Sequence, residues 1–248
     1  MNPSEAPTGE MIPVHDYVRD RVSLLSHLSH GWELHSALLL SPAEERTMVR
    51  EPAHAVPDSM AERLGKLRVL VVPYIGCFES GDVVCFSKPS GENHTAVWVT
   101  DGDRTNLLLA CREVDAHDTG FELLASIAQL VRQKQSDAEL ESYNRLLLQE
   151  IRDGVTGEID KEALEAKQKL PESLEQGGEL YLAYRDESLA GTLAEYLHGL
   201  WHDVQVRVGP EHLPVPQLRQ RMLLISTIFP PNPGYSLFAR EMEQDESK

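Results

Sequence analysis

Residues 67–75 read LRVLVVPYI, and this run decides the fold class. It is apolar and β-branched on both parities, so a strand built from it buries both faces. Pro73 has no N–H to give to a ladder and marks an end, an edge or a bulge. Three more β-rich runs follow, at residues 82–87, 94–100 and 105–112. Turns separate them at Lys88-Pro-Ser-Gly-Glu and at Asp101-Gly-Asp, and Asp-Gly between two β-rich runs is a hairpin signal. The expectation is an antiparallel meander of three or four strands.

Working outward, residues 14–28 carry an amphipathic helical pattern. Val14, Tyr17, Val18, Val22, Leu24, Leu25 and Leu28 gather on one side, and Gly31 is the stop. A short apolar stretch at 34–40 reads as a strand. Ser41-Pro42 followed by acids opens a helix. Past the meander the period changes to near 3.6. One helix begins near Phe121, capped by Asp118 or Thr119. Another follows Ser136 with Leu140, Tyr143, Leu147 and Ile151 as its stripe, and a short charged helix spans 159–170. Residues 136–176 hold 11 acids against five bases, net −6, and read as a solvated connector.

The C-terminal part reads as strand, helix, strand: ELYLAYR at 179–185, a helix over about 187–201, and DVQVRV at 203–208. A further strand is expected at 222–229, ended by Pro230 and Pro231. The class is therefore mixed α+β: an antiparallel β-meander flanked by helices, followed by a smaller strand–helix–strand subdomain. The expected division is a disordered lead (1–13), a meander domain (14–135), an acidic helical connector (136–176), a β-α-β subdomain (177–240) and a frayed tail (241–248).

The formal net charge is −17, from 40 acidic and 23 basic residues. Phosphate backbones and anionic bilayers both need clustered Lys and Arg, so neither nucleic acid nor a membrane surface is an expected partner. Three cysteines make no disulfide framework, which fits a reducing, cytoplasmic setting. No secretory signal and no run of membrane-spanning length is read.

The chemistry-bearing residue types collect weakly. Glu195, His198 and His202 have metal-ligand identities at helical spacing. Helical projection puts them about 180° from the apolar arc of Leu189, Leu193, Tyr196, Leu197 and Leu200, so they are expected to face water. Zn or Fe is the metal such a triplet would take; otherwise no cofactor is expected. His27, His30 and His35 form a second cluster at a polar helix end. Cys77 is expected in a loop, as a nucleophile if His94 or His117 comes close. Cys85 and Cys111 read as small core hydrophobes. A joint zinc site of Cys77, Cys85, His94 and Cys111 lacks the usual paired spacing. His-Asp pairs recur at 15–16, 117–118 and 202–203, but the helical phosphohydrolase arrangement would need His94 on a helix, and it falls in a strand run. Residues 152–160 resemble a calcium loop, yet Arg152 and Ala163 occupy positions that need oxygen donors. Phosphate-loop, dinucleotide and nucleophile-elbow motifs are absent.

Leu180-Tyr-Leu-Ala-Tyr-Arg-Asp-Glu-Ser, with the helix and Val-rich strand after it, resembles the opening of TIR-type signalling domains. The resemblance covers about 30 residues, implies a β-α-β start, and transfers no catalytic residue.

Three functional classes follow. The first is a non-enzymatic, acidic, cytosolic accessory domain that binds another protein. The second is a metal-dependent hydrolase using Glu195, His198 and His202. The third is a small-ligand-binding α/β domain with its pocket at strand carboxyl ends, near Arg185 and Asp186. The sequence leaves the oligomeric state open, a homodimer included.

Overall fold

The computed structural model describes residues 10–171, 178–202 and 209–238. The protein is mixed α+β. By its contacts the chain divides into two units, 1–54 with 64–126, and 55–63 with 127–248.

The first unit opens with β1 (Met11–Pro13), α1 (Val14–Asp20), β2 (Ser26–His27) and β3 (Glu33–Ser36). A helical stretch follows: α2 (Pro42–Glu45), a π-helical turn at Arg46–Arg50, α3 (Glu51–Ala55) and α4 (Asp58–Leu64), the last belonging mostly to the second unit. Ser41 starts α2 with a reciprocal capping box to Glu44 and Pro42 in the first turn, the geometry its sequence announces. The strands then resume: β4 (Lys66–Val72), β5 (Tyr74–Phe78), β6 (Gly81–Cys85), β7 (Asn93–His94), β8 (Ala96–Asp101) and β9 (Arg104–Ala110).

These strands form two sheets, ordered β1-β6-β5-β7 and β2-β3-β4-β9-β8. The first is antiparallel throughout. The second is mixed: β4 runs parallel to β3 on one edge and to β9 on the other, while β8 and β9 form the hairpin that Asp101-Gly102-Asp103 predicted. The simple antiparallel meander is therefore corrected. Residues 67–75 do not make one strand. The chain leaves one sheet at Pro73, where it cannot donate, and enters the other at Tyr74. Leu70, Val72, Ile75, Val84 and Leu108 from both sheets close one core with Val14, Tyr17 and Val18 of α1.

Two N-terminal expectations change. Residues 11–13, expected in a disordered lead, pair with β6. The first helix ends at Asp20, and Leu24 adopts a left-handed φ of 54°, so the period-3.6 pattern does not continue to Leu28.

The second unit is helical among the described residues: the C-terminal part of α5 (Ala116–Gln133), α6 (Glu141–Arg152), α7 (Lys161–Gln168), α8 (Glu179–Trp201) and α9 (Val215–Ile228). The strand–helix–strand reading is overturned. ELYLAYR is the first two turns of α8, with Tyr181, Tyr184 and Ser188 buried at helical spacing and Leu180 exposed. This also removes the basis of the TIR resemblance. The return strand, 203–208, lies outside the described residues. The expected strand at 222–229 is helix as well: Leu218, Arg221, Met222 and Ile225 are buried at i, i+3, i+4 and i+7. Among the described residues no helix is long and apolar enough to cross a membrane.

α8 is buried on nearly every side, as a central helix is. At Gly191 an added Cβ would collide with the Asp160 carboxylate and with Ile159, so glycine lets the start of α7 lie against α8. The segment read as a solvated connector supplies buried Tyr143, Leu147, Glu150 and Glu158. These two acids meet Arg221, which is 0 % exposed. All five guanidinium N–H donors find acceptors. Nε donates to both Glu150 oxygens at 3.1 Å; Nη1 donates to Glu158 and to Ser188 Oγ, each at 2.8 Å; Nη2 donates to Glu150 at 2.5 Å and Glu158 at 2.9 Å. Lys167 Nζ, 3.0 Å from Glu158, brings the buried charges to two of each sign. Tyr184 donates to Glu158 at 2.5 Å. Tyr143 hydrogen-bonds Ser188 and Thr192 and joins the network to α6.

Burial alone would raise the Glu158 pKa, but the Arg221 hydrogen bonds and charge, with Lys167 and Tyr184, hold it at about 2. A carboxyl held below its ordinary 4.5 adds stability above that value and loses it as pH falls toward about 2. Arg221→Met, which removes the guanidinium that the buried Glu150 and Glu158 share, is expected to cost about 3–5 kcal/mol in denaturant melts at pH 7. Glu158→Gln is expected to melt lower than the native protein at pH 7 and to lose less on acidification to pH 3. Equal acid sensitivity in the two proteins would contradict this assignment.

Candidate functional site

The first unit carries the candidate site, where β4 and β9 end. Beyond Val72 the chain after β9 keeps company with the chain after β4: Cys111 N–H donates to the Val72 carbonyl at 3.0 Å and Arg112 N–H to the Pro73 carbonyl at 3.1 Å. This steers Arg112 and Glu113 toward Tyr74 as β5 departs into the other sheet. A cavity of about 170 Å³ opens there. Its polar lining comes from Tyr74, Asn93, His94, Thr95, Arg112 and Glu113, with Ile75, Ala110 and Val114 as apolar wall.

Two groups mark the cavity further. Burial pushes the Glu122 carboxyl above its ordinary range, opposed by a hydrogen bond with the Thr95 hydroxyl that lines the cavity. Glu113 holds φ at 77°, a left-handed backbone that non-glycine residues rarely adopt, and its carboxylate pairs with Lys88. A displaced carboxyl pKa and a strained backbone beside a concavity are both features that collect at functional sites.

The same register assembles a second group on β5–β7. Cys77 lies opposite Asp82, and Ile75 lies opposite His94. Side chains alternate along a strand, so Cys77, Asp82 and the diagonal His94 share one face of the sheet. One ligand atom from each of the three lies within 4.8 Å of the other two, and His94 Nε2 is 3.3 Å from Asp82 Oδ1. Cys77 is thus in a strand and not in a loop, half-buried, and beside His94. Cys85 and Cys111 are buried; burial raises both thiols, as expected of core cysteines.

The α8 triplet is arranged otherwise than the sequence projected. His198 is only 5 % exposed, Glu195 is mostly buried, and His202 alone is exposed. The outward-facing projection fails because α8 is covered on the side taken for solvent. His198 Nδ1 is 4.0 Å from Glu195 Oε1, and the His198 and His202 ring centroids are 5.9 Å apart. Among the described residues, the groups whose ligand atoms converge are Cys77/Asp82/His94 and Asp115/His117/Asp118, and the α8 triplet is not one of them. In the latter group Asp115 is committed to the helix start, accepting from the Asp118 N–H at 2.8 Å. It is this residue, not Asp118 or Thr119, that caps α5. Of the other histidines, His30 meets the Ala53 carbonyl and His35 meets Tyr17.

Among the described residues no strand ends near Arg185 and Asp186. Both lie within α8, Arg185 paired with Asp137 and Asp186 with Arg132. Sequence reasoning did not single out Asp82, Thr95, Arg112 or Glu122. Placing Cys77 in the strand and pairing it across Glu79-Ser80 would have found Asp82; the other three depend on parallel pairing of β4 with β9, which no local pattern carries.

No family model matches the chain, and no characterised protein or solved structure resembles it at a significant level.

Of the three thiols, only Cys77 is accessible in the folded protein. A thiol-reactive dye under native conditions is expected to label it alone, and a denaturant to release Cys85 and Cys111. Two fast-reacting thiols, or fast labelling that survives Cys77→Ser, would contradict the packing described.

Proposed function

We propose that the protein is a small-ligand-binding domain, and that its ligand is a carboxylate-bearing metabolite held in the cavity at the carboxyl ends of β4 and β9. The supporting observation is the cavity itself, in the position where open sheets with parallel strands bind ligands. Its volume limits the ligand. At about 170 Å³ it is slightly larger than the roughly 150 Å³ void that takes up benzene, and well below the roughly 300 Å³ at which drug-sized pockets begin. Its lining selects for charge and hydrogen bonding: the Arg112 guanidinium suits a planar carboxylate, and Tyr74, Asn93 and Thr95 offer neutral polar contacts.

This is the third of the three classes that the sequence allowed, moved from α8 to the first unit. Three free cysteines favour a reducing, cytoplasmic setting for it. The accessory-protein reading rests on the acidic helical surface, and the hydrolase reading on the α8 triplet, whose ligand atoms do not converge among the described residues.

The test is a thermal-shift screen of small mono- and dicarboxylates against the full chain. A ligand that binds only the folded state raises the melting temperature, and the rise keeps growing with the logarithm of ligand concentration above Kd. At least one compound is expected to give a concentration-dependent shift that Arg112→Ala abolishes. No shift from any carboxylate, or a shift indifferent to Arg112→Ala, would overturn the reading.

A further inference from the structure

We propose that Cys77, Asp82 and His94 form a binding site for a divalent metal ion of the zinc class. The site goes beyond the ligand-binding reading and shares only His94 with it.

The argument starts from register. In an antiparallel sheet, directly opposed and diagonal residues on one face bring their side chains within reach of each other. Here that face gathers a thiol from β5, a carboxylate from β6 and an imidazole from β7. Three different strands hold them, so the ligands are set by backbone hydrogen bonding, not by one flexible loop. Cys77 N–H donates to the Glu92 carbonyl at 2.9 Å, which ties β5 to the chain just before His94.

The donor set is the second element. A thiolate, an imidazole and a carboxylate are the three side-chain types that zinc uses, and three protein ligands leave a fourth position for water or substrate. The spacing agrees. Zn–N and Zn–O bonds of about 2.0–2.2 Å at a tetrahedral angle separate the two ligand atoms by about 3.4 Å. His94 Nε2 and Asp82 Oδ1 are 3.3 Å apart, and the three ligand atoms are mutually within 4.8 Å.

A thiol–imidazole–carboxylate relay is the competing arrangement for the same residues. In a relay the two imidazole nitrogens face different partners, one toward the nucleophile and one toward the carboxylate. Here a single imidazole nitrogen lies within 4.8 Å of both the sulfur and a carboxylate oxygen, and those two lie within 4.8 Å of each other. Convergence favours a metal.

The experiment is titration of the reduced full-length protein with Co²⁺, which reports coordination through its spectrum. One equivalent is expected to bind, with a thiolate-to-cobalt charge-transfer band in the near ultraviolet and intense visible bands of tetrahedral geometry. Zn²⁺ should displace it. Cys77→Ser is expected to remove the charge-transfer band. Asp82→Asn and His94→Ala are expected to weaken binding by at least about tenfold, with circular dichroism unchanged. Cys85→Ser and Arg112→Ala should leave the band intact. Arg112→Ala, which ends the carboxylate response, and Cys77→Ser, which ends the cobalt band, separate failure of one site from failure of the other. No charge-transfer band, or a band that survives Cys77→Ser, would overturn the proposal. So would native-strength binding in both Asp82→Asn and His94→Ala; a Cys77 thiol that turns over acyl esters without metal would assign the residues to a relay instead.

Discussion

A single backbone restriction organises the first unit. β4 is hydrogen-bonded on both edges and buried on both faces, and it stops where Pro73 offers no N–H. The next residue already belongs to another sheet. One seven-residue strand therefore ends against a five-residue strand that starts immediately, and the side chains that would have continued a single sheet are split between two. Tyr74 and Ile75, the first residues after that change of sheet, line the cavity together with Arg112 and Glu113, and Cys77 follows on the same strand opposite Asp82.

The second unit depends on a different constraint. Arg221 is a full charge without solvent contact, and such a group is tolerated only when every donor is met and the charge is balanced. Glu150, Glu158 and Ser188 satisfy all its N–H groups, and Lys167 makes the fourth charge. The acceptors come from α6, from the chain ahead of α7 and from α8, so the ion network fixes the relation of those elements to α9. An apolar residue at 221 would pack against the same helices, but it would take the guanidinium away from both buried carboxylates and leave Glu158 with Lys167 and Tyr184 alone.

What the sequence made legible was local. The capping box at Ser41, the Asp-Gly hairpin between β8 and β9, and the stripe of Tyr143 and Leu147 in α6 depend on neighbours within a few residues, and each is visible in the pattern. The parallel pairing of β4 with β3 and β9 was not, because the runs that make a parallel pair look the same as those that make a meander. The first two turns of α8 and the second half of α9 look like strands in sequence for a related reason: a short apolar run has no decisive period. Burial at 218, 221, 222 and 225 reveals the helix only once Arg221 is known to point inward. The candidate site followed the same rule. Cys77 and His94 could be named from their types, but Asp82, Thr95, Arg112 and Glu122 became visible only with the register. The α8 triplet, chosen for its spacing, belongs to a helix whose surroundings no projection could supply.

We propose that the chemistry of this chain is concentrated where β4 gives way to β5, and not on α8. The most direct measurement is an anomalous-difference map at the zinc edge from crystals grown with Zn²⁺. The account predicts a single strong peak between Cys77, Asp82 and His94. A peak beside Glu195, His198 and His202 instead, with none on the sheet, would contradict it.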